Sequence, residues 1–95
     1  VTAHPKSFIV IIDNGQDYSD HTHWTALVCP TKDDAIRAVD LFQEWVRVAK
    51  EEYLASDCEK YTAVPPFWGK EDRYDFSDPG YYSAAWIEVP VWANP

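Results

Sequence analysis

Seven residues near the start of the chain, Ser7-Phe8-Ile9-Val10-Ile11-Ile12-Asp13, constrain its fold more than any other stretch. From Phe8 to Ile12 the run is apolar without a break and mostly β-branched, so an extended backbone would place apolar side chains on both faces. A strand of that kind belongs in the middle of a sheet. Asn14-Gly15 then signals a turn, and the polar stretch through Thr22 makes a loop too long for a two-residue hairpin. His23 to Cys29 reads as a second strand, with Trp24, Ala26 and Val28 on one face and Thr25 and Leu27 on the other. Pro30 ends it.

Thr31-Lys32-Asp33-Asp34 is a helix start. Thr31 can cap, and the two acids suit the positive end of the helix dipole. The helical pattern continues to about Leu54. Ala35, Val39, Phe42, Val46, Ala49 and Tyr53 fall within one arc, and Asp33, Arg37, Asp40, Glu44, Arg47 and Glu51 fall opposite. Leu41, Trp45 and Val48 widen the apolar side beyond what one sheet face covers, so the C-terminal segment is expected to wrap over them. Residues 57–83 have no period and contain Pro65-Pro66, Gly69 and Pro79-Gly80. Ala84 to Trp92 is the last strand, with Ala85, Ile87, Val89 and Val91 alternating against Trp86, Glu88, Pro90 and Trp92. Pro90 has no N–H to donate, which suits an edge. The expected fold is a single α+β domain over residues 1–95. Its topology is ββαβ, with a three-stranded antiparallel sheet in the order 2-1-3, one long helix on one face and a long irregular loop before the last strand.

Charge enters at this point. The chain has 16 Asp+Glu against 8 Lys+Arg, a formal charge of −8, alongside five Trp, six Tyr and four Phe. Acidic chains without aromatics stay disordered, because they bury too little apolar surface to offset chain entropy. Here the aromatics supply a core, so the charge should be displayed on a defined surface. That excess repels nucleic acid and anionic membrane and attracts basic partners. Direct nucleic-acid binding is not expected.

Chemistry-bearing residues are sparse. His21 and His23, with Asp17 and Asp20, invite a metal reading, since His-x-His at a strand start puts both imidazoles on one face. However, acids and His in a polar loop are common for turn reasons, and the Asp spacing fits no calcium loop. No metal or other cofactor is expected. The chain has no nucleophile elbow, P-loop or dinucleotide fingerprint. Cys58 lies between Asp57 and Glu59, which disfavour a thiolate. A non-enzymatic protein is therefore expected. Cys29 and Cys58 flank the helix, roughly 35 Å apart along its axis, whereas a disulfide needs Cα atoms within about 7 Å. Free thiols and a cytoplasmic setting follow. No run of 18 apolar residues could form a membrane span. The first six residues lack a signal peptide's apolar stretch. With no methionine anywhere, the start is expected to be processed or trimmed.

Three acidic patches could meet a basic partner: Asp13, Asp17 and Asp20; Glu51, Glu52, Asp57 and Glu59; and Glu71, Asp72, Asp75 and Asp78. The last interleaves with Phe67, Trp68, Tyr74, Phe76, Tyr81 and Tyr82. Aromatic anchors ringed by polar groups are what tight interfaces use, and facing charges fix register. The partner-binding candidates are Asp13, Asp17, Asp20, Glu71, Asp72, Asp75, Asp78, Trp68, Tyr74 and Tyr81. The expected partner is a protein with a basic nucleic-acid-binding surface, met by a monomer or weak dimer.

Phe8-Ile9-Val10-Ile11-Ile12-Asp13, the loop, and a strand running into Cys29-Pro30-Thr31-Lys32-Asp33-Asp34-Ala35 and a helix resemble small acidic proteins of bacteriophages and other mobile elements, anti-CRISPR proteins among them. The same pattern is similar to antitoxins of the HicB type, although no DNA-binding appendage follows. The resemblance covers residues 7–55 and attaches nothing to 57–95. It implies a non-catalytic inhibitor that binds a CRISPR effector, often at its DNA channel. The alternative it leaves open is an antitoxin or immunity protein that neutralises a basic toxin enzyme.

Overall fold

A computed structural model describes residues 6–16, 19, 21–69 and 78–91. β1 (Lys6–Asp13) pairs antiparallel with both β2 (His23–Cys29) and β3 (Ser83–Pro90), giving the sheet order β2-β1-β3. α1 (Lys32–Ala55) lies across one face. This is the α+β architecture and strand order that the uninterrupted apolar run demands. β1 and β3 are in register from Lys6 opposite Pro90 to Asp13 opposite Ser83.

The core lies between the helix and the face of β1 that carries Phe8, Val10 and Ile12, of which Val10 and Ile12 are completely buried. Ala84 and Trp86 extend that face on β3. On β2 the facing differs from strict alternation. The β1–β2 register shifts between Val10 and Ile11, so Leu27 pairs with Val10 while Thr25 pairs with Ile11. Ala26 is the extra residue of this bulge, and a bulge resets which side chains share a face. Trp24, Leu27 and Cys29 consequently join the core side, and Val28, expected beside Trp24, stands 65% exposed on the opposite face. There Val28, Ile9 and Ile87 form a cross-strand row, with Ile11 and Ala85 beside it.

The buried helix stripe is Ala35, Ala38, Phe42, Trp45 and Ala49. It is rotated from the expected arc, and Val39, Val46 and Tyr53 are only half-buried at its border. Residues 61–69 draw the stripe toward Trp45. The Trp45 indole Nε1–H donates to the Ala63 carbonyl at 2.9 Å, and its ring meets those of Tyr61 and Tyr82. Wrapping by the segment after the helix therefore covers Trp45, but Leu41 remains 53% exposed. Ring contacts run on from Tyr82 to Trp68 and from Trp68 to Trp24, so aromatic edges rather than aliphatic packing fill much of the interior.

Local chemistry sets the helix ends. The Thr31 hydroxyl oxygen accepts from the Asp34 N–H at 3.1 Å, with Asp33 and Asp34 in the first turn. At the other end the Cys58 N–H donates to the Tyr53 carbonyl and the Asp57 N–H to the Leu54 carbonyl, the two bonds of a Schellman stop. Asp57 occupies the left-handed position usually given to glycine, at φ 58°.

Candidate functional site

Of the residues singled out for partner binding, the structure places Asp13, Trp68, Asp78 and Tyr81; Asp17, Asp20, Glu71, Asp72, Tyr74 and Asp75 lie outside the described residues. Asp13 and Tyr81 come together at the end of the sheet where β1 stops. Gly15, at φ 68°, passes so close to Tyr81 that a Cβ there would collide with the Tyr81 carbonyl oxygen. Tyr81 closes a short 3-10 turn, Pro79–Tyr81, and its side chain is exposed. Asp78 caps that turn through its Oδ1, which accepts from the Gly80 N–H at 2.8 Å. Its Oδ2 accepts from Lys50 Nζ on α1 at 2.5 Å. Burial pushes the Asp78 carboxyl up, but the Lys50 ammonium and the Gly80 N–H outweigh it and hold the group below the usual carboxylate range. Trp68 belongs to the interior as much as to the surface. Its carbonyl accepts from Trp24 Nε1 at 2.7 Å, and its ring packs edge-on against Trp24 and Tyr82.

Asp13 is held from two sides. Its Oδ1 accepts from the Gly15 N–H at 2.6 Å, and its Oδ2 is 2.7 Å from His21 Nε2. The bond to His21 is the main reason its carboxyl lies below the ordinary value, with burial opposing it and the Gly15 N–H adding to it. Asn14 fixes the backbone on either side of the loop. Its N–H donates to the Thr22 carbonyl, and its side-chain oxygen accepts from the N–H groups of Thr22 and Gln16. The histidines thus stand beside Asp13, the strand-end partner of His23 in the β1–β2 ladder. Sequence reasoning had grouped them with Asp17 and Asp20 instead. The signal for Asp13 was present, because an antiparallel pair joined by one loop sets the last residue of the first strand against the first residue of the second.

No family model, curated protein or solved structure matches this chain.

Among the described residues, several of the remaining acids are paired. Arg47 donates to Glu44 and Glu51, so that ladder is locally compensated. Glu52 accepts from the Thr62 N–H and hydroxyl and from the Ala63 N–H. These bonds, the Thr62 N–H first, hold its carboxyl below the usual range and tie the 61–63 segment to the helix. Asp33, Asp34, Asp40, Asp57 and Glu59 are exposed. Cys29 is buried, with burial first and Asp34 second pushing its thiol up, away from the reactive thiolate form. Cys58 is exposed, and both thiols are free. Among the described residues no helix is long and apolar enough to cross a membrane.

Proposed function

We propose that this protein is a non-enzymatic binding module that occupies a basic, nucleic-acid-binding surface on a protein partner, with carboxylates taking the place of phosphates. The observation that supports this most is that no charged side chain among the described residues is buried, so the acids among them are displayed on the surface of a sheet-and-helix scaffold. Carboxylates held close together on a fixed backbone repel one another more than dispersed ones. An approaching Arg- and Lys-rich groove relieves that repulsion, which speeds encounter and sets register. Exposed Tyr81, whose backbone lies against Gly15 two residues beyond Asp13, supplies an aromatic anchor near an acidic strand end. The resemblance of residues 7–55 to phage-encoded anti-defence proteins directs the proposal to a bacterial defence complex, a CRISPR effector in particular.

The test is capture of the partner followed by competition. A tagged chain should retain a nucleic-acid-binding protein from bacterial lysate and displace DNA or RNA from it. Binding should weaken as added salt shortens the screening length from ~10 Å at 0.1 M to ~3 Å at 1 M. Charge reversal at Glu71, Asp72, Asp75 and Asp78 together should lower affinity at least tenfold, about 1.4 kcal/mol. Unchanged affinity in that quadruple variant would clear the late loop as the contact. A captured partner that keeps its nucleic acid would sink the blocking role. Recovery of a toxin enzyme whose activity is suppressed would instead favour the antitoxin reading.

A further inference from the structure

The loop-side end of β1 and β2 supports a different kind of binding. We propose that Asp13, His21 and His23 form a site for one divalent transition-metal ion of the zinc class. Their ligand atoms all lie within 4.8 Å of one another. A tetrahedral ion with bonds of about 2.0–2.2 Å holds neighbouring ligand atoms roughly 3.3–3.5 Å apart. Asp13 Oδ2 and His21 Nε2, at 2.7 Å, would have to open toward that spacing to admit an ion, a movement within reach of side-chain rotation in part-exposed groups.

The backbone is already arranged for this. His23 faces Asp13 in the β1–β2 ladder, and His21 lies two residues earlier, its ring centroid 5.6 Å from that of His23. The Asn14 bonds to Thr22 join the two chain segments between these residues, so the three ligands do not depend on the loop tip for their positions. The Gly15 N–H occupies Asp13 Oδ1 and leaves Oδ2 for an ion, the kind of supporting bond that orients ligating carboxylates. Oδ2 and His21 Nε2 are hydrogen-bonded to each other. With an ion between them, the proton of a neutral His21 sits on Nδ1 instead.

The donor set selects the ion. Two imidazoles with one carboxylate suit Zn2+, and also Co2+, Ni2+ or Cu2+. Ca2+ and Mg2+ take oxygen ligands almost throughout. Three protein ligands at an exposed strand end leave a fourth position to water or to a group from another molecule. An ion there would tie the end of β1 to the start of β2.

Untagged protein titrated with Co2+ is the direct test. One equivalent should bind with a visible ligand-field band and no near-ultraviolet sulfur-to-metal band, and Zn2+ should displace it. His21→Gln, His23→Gln and Asp13→Asn should each lose at least ~10-fold in Zn2+ affinity, since losing only a supporting residue already costs 10–100-fold. His4→Gln and Cys58→Ser should bind as the unaltered chain does. Zn2+ should raise the thermal midpoint of the unaltered protein and leave that of His23→Gln where it was. A sulfur band, full affinity in His23→Gln of native circular dichroism, or no saturable Zn2+ binding would each overturn the site. Asp13 also belongs to the proposed partner surface, so His23→Gln separates the two ideas: it removes the metal and leaves partner capture intact.

Discussion

At the scale of single residues, the contact between Asp78 and Lys50 fastens the turn before β3 to the helix. It joins a carboxylate that caps the Pro79–Tyr81 turn to a lysine of α1, both partly exposed. The Asp78 carboxyl is depressed from 3.8 in the folded chain and the Lys50 ammonium is raised from 10.5. Asp78 therefore contributes stability that is complete above about 3.8 and is lost as pH falls through its lower folded value. Lys50 contributes stability that is complete below about 10.5 and is lost as pH rises through its higher folded value. Asp78→Asn keeps an oxygen for the Gly80 N–H and removes only the charge. It should lower the thermal midpoint by a few degrees at pH 7, and melting curves of the two proteins should converge as the pH is taken below 3.8. A difference that persisted unchanged in acid would assign the role to the cap rather than to the ion pair.

At the scale of elements, α1 stops at a Schellman turn whose left-handed position holds Asp57 rather than glycine. Left-handed backbone costs a residue with a Cβ about 1–2 kcal/mol, somewhat less for Asp. Asp57→Gly should accordingly stabilise the chain by about 0.5–1 kcal/mol in urea denaturation, and an unchanged midpoint would show that the turn relaxes instead. The helix start was legible in Thr31 and its following acids, because capping is a local interaction. Strand order was legible too, since a strand apolar on both faces must be central. The facing of β2 was not. A bulge opposite Val10 and Ile11 reflects how two strands twist against each other, and nothing in His23–Cys29 alone marks Ala26 as the inserted residue. The rotation of the helix stripe toward Trp45 was hidden for a related reason. It depends on the Ala63 carbonyl and on Tyr61, residues in a stretch with no periodicity to place them. Within the candidate site, Tyr81 is brought to the β1 end by the close approach of its backbone to Gly15, a contact between segments far apart in sequence.

For the whole molecule, a formal charge of −8 on so small a body acts on stability and on association with opposite signs. Mutual repulsion among surface carboxylates weakens the compact state, and salt screens it. Sodium chloride raised to roughly 0.5 M, where the screening length is a few Å, should therefore raise the thermal midpoint while loosening a basic partner. Parallel loss of both would argue that specific ion pairs, rather than net charge, dominate the fold. The pairing of Lys6 with Pro90 has a separate, purely geometric consequence. The outer ends of β1 and β3 lie side by side, and seven residue steps along β1, roughly 23 Å at strand spacing, separate them from Asp13. Cargo attached at either outer strand end would therefore sit at the pole opposite Asp13 and the histidines, clear of the candidate site.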